Sequence, residues 1–110
     1  KRAKEVGLDV VICASNDSIS SAMDRFDPDA IAIEPPKLIG GDVSVSTAKP
    51  DLIKNSVEKC DNPVICGAGV KNRKDVEKSI KLGAKGIFVA SGIVKADNPE
   101  EKIREMIAPF

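Results

Sequence analysis

The chain has 110 residues, of which 42% are hydrophobic and 31% charged, so its length fits one domain and its composition argues against disorder or a membrane protein. Seventeen basic and seventeen acidic residues cancel without a long run of either sign, which excludes a global field for attracting nucleic acid or anionic lipid. The absence of histidine excludes imidazole as acid, base or metal ligand, and the absence of Trp and Tyr removes the best base-stacking side chains.

The N-terminus begins within a charged segment rather than with methionine. Residues 1–6 predict the end of a longer helix with Gly7 as its glycine cap, so we expect the chain to be a piece of a larger protein. No signal peptide or apolar stretch of membrane-spanning length is visible, and we expect a cytoplasmic protein.

Four strand–loop–helix units then follow one another along the chain. The apolar runs at 9–14, 30–34, 63–66 and 86–90 predict the strands. Helices are predicted from the cap candidates Asn16, Asp17 and Ser18, from Pro50, after Asn72 and after Asn98, because each start carries capping residues or a first-turn proline ahead of an apolar stripe. Residues 35–49 are predicted to form a long loop between the second strand and its helix.

Short apolar strands that alternate with amphipathic helices predict an α/β fold with a parallel sheet and right-handed crossovers. Two architectures fit: an open doubly wound sheet, or part of a closed barrel, of which four units are one half. A half-barrel alone would leave two sheet edges and one sheet face uncovered.

The cysteines form an odd set of three, Cys13, Cys60 and Cys66, without metal-ligand spacing. We therefore predict reduced thiols and no metal site. Cys13 and Cys66 lie inside apolar strand runs, so we expect both to fill the core.

The segment AIAIEPPKLIGG places Glu34 at the end of the second predicted strand. In parallel α/β folds this end of the strand carries the chemistry. Pro35 and Pro36 fix two φ angles after it, while Gly40 and Gly41 add freedom further on, a pattern typical of a hinged lid. Glu34 is thus either a catalytic base beneath a lid or a solvated glutamate beside a proline turn.

Small residues follow the third and fourth strands, as Gly67-Ala68-Gly69 and Ala90-Ser91-Gly92. Such turns let main-chain N–H groups approach an anion, and two of them after neighbouring strands favour a phosphate site. Either turn alone would equally suit a tight connection, and Ser91 alone could be a helix cap.

The motifs IEPPKLIGG, VICGAG and FVASG, in this order and at these distances, resemble the C-terminal half of triosephosphate isomerase, particularly its compact archaeal form. The resemblance covers essentially the whole chain and implies strands five to eight of a (βα)8 TIM barrel. It implies interconversion of dihydroxyacetone phosphate and D-glyceraldehyde 3-phosphate, a reaction of glycolysis and gluconeogenesis, in a homo-oligomer that uses no cofactor or metal. Glu34 would be the base, and the residues matching the family's phosphate site are Ile39, Gly40, Gly69, Ala90 and Ser91.

Two departures from the family qualify this interpretation. The family's substrate-polarising lysine and histidine would lie upstream, so we expect the fragment to be inactive without the N-terminal half of the barrel as its partner. The lid reads Gly40-Gly41-Asp42 where the family commonly has Gly-Thr-Gly. A carboxylate near a bound dianion would be repelled, so we expect the Asp42 side chain to point away.

Two other functions fit parts of the sequence. A phosphate-binding barrel enzyme of tryptophan or thiamine biosynthesis would share the glycine turns but lack the Glu-Pro-Pro lid. A receiver-like regulatory domain would fit the length, but it would need an acidic cluster after the first strand, where Cys13, Ala14 and Ser15 stand.

Overall fold

A computed structural model describes all 110 residues and contains a four-stranded parallel sheet, as the sequence predicted. The strands lie in the chain order β1-β2-β3-β4. A doubly wound sheet reverses its strand order at a switch point, and this sheet does not, so the order favours a barrel segment. The strands are β1 (Val11–Ala14), β2 (Ala30–Ile33), β3 (Val64–Cys66) and β4 (Gly86–Ile87).

The helices at Asp17–Asp24, Pro50–Lys59 and Arg73–Lys81 pack on one face of this sheet. Three helices begin at an asparagine that the sequence offered as a cap: the Oδ1 atoms of Asn16, Asn72 and Asn98 accept N–H bonds from residues three further on, at 2.9, 3.0 and 3.2 Å. The helices are α1 (Arg2–Glu5), α2 (Asp17–Asp24), α3 (Val45–Ala48), α4 (Pro50–Lys59), α5 (Arg73–Lys81), α6 (Ser91–Val94) and α7 (Pro99–Ile107).

Several predicted boundaries were wrong. The fourth strand ends at Ile87 instead of Ala90, because residues 89–90 turn into α6, which the sequence did not predict. The predicted loop 35–49 contains a 3₁₀ turn at Pro36–Leu38 and the short helix α3. Turns this short carry no apolar periodicity from which a sequence could predict them.

The core lies between the sheet and the helices. Ile31 and Ile33 of β2 are fully buried and pack with Val45 of α3, Ile53 of α4 and Val76 of α5. Register places Ala14, Ile33 and Cys66 side by side on this face. The central strand β2 is buried along its whole length, as its uninterrupted apolar run predicted.

The opposite face of the sheet is open. It carries Val11, which is 42% exposed, Cys13, and Phe88, which is 39% exposed. The prediction that Cys13 fills the core was wrong. Side chains alternate along a strand, so Ile12 and Ala14 turn toward the helices and Cys13 turns away, and an all-apolar run does not reveal this phase.

All three cysteines are free thiols. The longest helix, α4, has ten residues, and none of the helices has the length and apolar character needed to cross a bilayer.

The contribution of α4 to the stability of the core can be tested by truncating Ile53. Ile53→Ala should lower the free energy of unfolding by about 2–5 kcal/mol, because a fully buried side chain leaves a cavity between α4 and the sheet. Denaturant titration measures the change. The control is Val94→Ala on α6, where the side chain is 79% exposed and the expected change is within about 0.5 kcal/mol. Equal losses in both variants would contradict this account of the core.

Candidate active site

Glu34 is fixed by the hydrogen bonds of the central strand. It is the first residue after β2, and its N–H donates to the Ala14 carbonyl at 2.9 Å. On the other side, the Gly67 N–H donates to the Ile33 carbonyl at 3.0 Å. Because Ile33 points to the helices, Glu34 emerges on the open face, at the end of the strand where the sequence predicted chemistry.

The Glu34 side chain lies directly over Gly67. A Cβ atom at Gly67 would come within 2.4 Å of Glu34 Cγ and 2.6 Å of Oε1, so any larger residue would displace this carboxylate from its position. The glutamate is half-buried and takes part in none of the chain's ion pairs.

The Cys13 thiol lies beside this carboxylate. Partial burial raises the pKa of the thiol, and the hydrogen bond and negative charge of Glu34 raise it further. The neighbouring strands β1 and β2 therefore bring a thiol and a carboxylate together on the open face.

The segment that begins at Pro35 and ends at Lys49 forms the lid. Its entry is rigid, because Pro35 is buried and a 3₁₀ turn follows. Ile39 (φ −63°, ψ 126°) and Gly40 (φ +70°) then form a type II turn, closed by a 3.1 Å bond from the Gly41 N–H to the Leu38 carbonyl. Such a turn needs positive φ at its third position, which explains Gly40.

The lid exit is anchored, which the sequence did not predict. The Val45 N–H donates to the Ala68 carbonyl at 3.2 Å, and the buried Ser46 hydroxyl donates to the Asp75 carbonyl of α5 at 3.3 Å. The lid tip, residues 39–43, lies between the two fixed ends; within it Ile39 is 57% and Val43 49% exposed.

The turn after β3 packs against the lid. Ala68 and Gly69 both have positive φ, +64° and +71°. A Cβ at Gly69 would lie 2.1 Å from the Val43 carbonyl oxygen, so the lid tip rests on this glycine. Ala68 holds a left-handed conformation that L-residues rarely adopt, and the bond to Val45 helps to hold it there.

Unpaired main-chain donors gather around these loops. The N–H groups of Gly40, Gly69, Ala90 and Ser91 donate to no oxygen of the chain, whereas the Ile39 N–H donates to Pro36 at 3.4 Å. Free N–H groups on three different loops are a suitable set of donors for an anion. We call them the four free N–H groups.

The structure brings all the sequence-predicted site residues to one cavity of about 680 Å³. Its walls are mainly apolar side chains of β4, α6 and α7, and its only charged residues are Glu34 and Lys71. The predicted residues that line it are Glu34, Ile39, Gly40, Gly69, Ala90 and Ser91. Their chemical roles remain predictions, but their proximity is a property of the fold.

Comparison with known proteins identifies the family. A profile of the triosephosphate isomerase family matches residues 1–108. The chain belongs to the triosephosphate isomerase family. The family to which the sequence motifs pointed is thereby confirmed.

Archaeal triosephosphate isomerases are similar along nearly the whole chain. The enzyme of Methanocaldococcus jannaschii is 42% identical over 96% of this chain and 51% of its own length. The enzyme of Thermoplasma volcanium is 44% identical over 97% of this chain and 52% of its own length. The chain thus spans about half the length of the curated relatives it matches.

Solved structures of TIM-barrel enzymes share the fold. Thiamine phosphate pyrophosphorylase from Pyrococcus furiosus superposes with a TM-score of 0.77 at 17% identity, over 96% of this chain and 51% of that one. A mutant tryptophan synthase α-subunit from the same organism gives 0.76 at 24% identity, over 96% and 47%. Identities this low establish the architecture alone, so neither alternative enzyme class gains support beyond the fold.

Three residues at or beside this candidate site were not predicted from the sequence as parts of it. Gly67 was noticed only as the start of a glycine turn, Cys13 was assigned to the core, and Lys71 was not considered. The close approach of Gly67 to Glu34 depends on strand register, and the position of Lys71 depends on the path of a loop. Neither has a signal in local composition.

The contact between Glu34 and Cys13 predicts a pH-dependent reactivity. Glu34→Gln removes the negative charge beside the thiol, so the pKa of Cys13 should fall part of the way toward its ordinary value and more thiolate should form at a given pH. The rate of Cys13 alkylation is measured by mass spectrometry across a pH series. In Glu34→Gln the rise of this rate with pH should occur at lower pH than in the wild type.

Glu58→Gln on α4 is the matched control, because it also removes one glutamate charge but lies on the helix layer. Cys66 is a slow-reacting internal reference, since burial raises the pKa of its thiol. An unchanged pH profile for Cys13 in Glu34→Gln would contradict the contact.

Proposed function

We propose that this chain is the C-terminal half of a triosephosphate isomerase barrel, strands five to eight, and that Glu34 is its catalytic base. The observation that carries the proposal is one cavity lined both by Glu34, which forms no ion pair, and by the residues that carry the four free N–H groups. Family membership supports the reaction, and the half-length match to relatives supports the fragment.

The base would act on a carbon next to the substrate carbonyl. Glu34 takes a proton from that carbon, the C–H electron pair forms the C=C bond of an enediolate, and the carbonyl oxygen receives the negative charge. The hydroxyl proton on the oxygen of the deprotonated carbon then passes to the former carbonyl oxygen. The carboxylic acid returns its proton to the neighbouring carbon while a new C=O bond forms at the first carbon, which converts ketose to aldose. A half-buried carboxylate without an ion-pair partner suits this role, because excluding water strengthens it as a base.

The phosphate end of the substrate would bind the four free N–H groups. Gly40 contributes from the lid, Gly69 from the turn after β3, and Ala90 and Ser91 from the turn before α6. Ile39 differs, since its N–H already donates to Pro36. Its predicted main-chain contact with phosphate would require the lid to open that 3.4 Å bond, whereas Gly40 needs no such change.

The N-terminal half of the barrel would complete the site. The open face of the sheet, with Val11, Cys13 and Phe88 exposed, supports such a partner, because closure would cover it. The upstream half would supply the cationic and imidazole groups that stabilise the enediolate, so the 110-residue chain alone would be inactive. We extend the proposal to a cytoplasmic homo-oligomer without cofactor, following the family resemblance.

The base assignment is tested with Glu34→Gln in the intact barrel. Turnover should fall by roughly 10²–10⁴-fold, because the amide cannot accept the proton. The inhibition constant of inorganic phosphate should change less than about twofold, since the anion contacts main-chain groups on other loops.

Glu58→Gln again serves as the control and should keep full turnover. Equal losses of turnover and phosphate affinity would mean that Glu34 supports the structure of the site rather than the proton transfer. Full turnover in Glu34→Gln would contradict the assignment of Glu34 as the base.

A further inference from the structure

Lys71 is the one cation on the cavity wall. It follows the turn after β3 and lines the same cavity as Gly69, Ala90 and Ser91. Its side chain is 33% exposed, and its N–H donates to the Asp75 carboxylate at 3.0 Å. The backbone is therefore fixed at the start of α5, while the ammonium group is carried on a flexible stem.

The ammonium group of Lys71 forms an ion pair with Asp42 of the lid tip. The Asp42 side chain is 93% exposed, so it points out of the cavity, in agreement with the expectation from the sequence. The hydrogen bond and positive charge of Lys71 hold the pKa of the Asp42 carboxyl below its usual value, so this carboxyl is ionised near neutral pH.

Asp42 occupies a lid position where the family commonly has glycine, and this raises an electrostatic problem. A lid that closes over a phosphate would bring a negative side chain toward a dianion. Lys71, on the loop that packs against the lid, places a positive charge next to Asp42. Nothing else in the cavity could compensate, because Glu34 is its only other charged residue.

We propose that Lys71 is a phosphate-recognition residue, and that its ammonium group exchanges the Asp42 carboxylate for the substrate's phosphoryl dianion when the cavity is filled. The inference rests on the phosphate site of the proposed function and adds a side-chain cation to its main-chain donors. Asp42 holds this cation at the cavity rim while the site is empty.

The exchange is favourable for two reasons. A dianion in the cavity carries more charge than the Asp42 carboxylate, which lies in water, where an ion pair adds little. A lysine acts as a point charge on a long stem and can serve two partners without a fixed geometry. The ligand class is therefore a phosphoryl dianion rather than a monoanionic carboxylate.

Two substitutions with opposite expected effects test the inference. Inorganic phosphate is titrated calorimetrically into the intact barrel at fixed ionic strength, without turnover. Lys71→Met should raise the dissociation constant about tenfold, because a hydrogen bond to a charged group is lost. Lys71→Arg should retain most of the affinity. Asp42→Asn should lower the constant by about two- to fivefold, because Lys71 no longer has a competing partner.

The pair formed by Lys59 and Asp17 is the matched control. It also joins two separate elements, at 2.5 Å and with partly exposed side chains, but it lies between α4 and α2, outside the cavity. Lys59→Met and Asp17→Asn should leave phosphate affinity unchanged.

Unchanged affinity in Lys71→Met would overturn the inference while leaving the four free N–H groups intact. Weaker binding in both Lys71→Met and Asp42→Asn would overturn it too, since the pair would then act only as a brace for the lid. Because affinity is measured without turnover, a failure of the isomerase assay remains a separate result. Absence of phosphate binding in the wild type would contradict both the proposed anion site and this inference.

Discussion

The pairing of β2 with both neighbours is the constraint on which the site depends. Its register with β1 and β3 brings Cys13, Glu34 and Gly67 together at one end of the sheet. A shift of one residue would turn Glu34 toward the helices and bring Ile33 to the open face. Burial of Ile31 and Ile33 opposes such a shift, since it would expose both. The core that stabilises the fold thus also fixes the orientation of the carboxylate.

Much of this architecture could be predicted from the sequence, because the local sequence is enough to determine helices and strands that are strongly periodic or capped. The asparagine caps before α2, α5 and α7 and the first-turn Pro50 lie where they were expected. The apolar run of β2 correctly predicted a strand buried on both faces. The six candidate site residues were predicted from strand ends and from the family resemblance, and all of them line one cavity.

What the sequence could not predict depends on contacts between distant segments. Cys13 lies in an apolar run that looks the same whichever way it faces, and only the sheet decides that it meets Glu34. The anchored lid exit depends on Ser46 reaching α5, and the pair formed by Asp42 and Lys71 joins residues 29 positions apart. From the sequence alone, Asp42 was expected only to repel a bound dianion. The structure shows that Lys71 neutralises its charge.

The anchoring of the lid at both ends limits how much order a ligand must impose. Fixing one residue's backbone costs about 1–2 kcal/mol of conformational entropy, so five free residues would cost roughly 5–10 kcal/mol. In residues 39–43 part of that ordering has already occurred, because the type II turn is hydrogen-bonded and the Val43 carbonyl rests against Gly69. Under the proposed function, more of the energy of binding the phosphate would then be available for the reaction, because less would be consumed in ordering the loop.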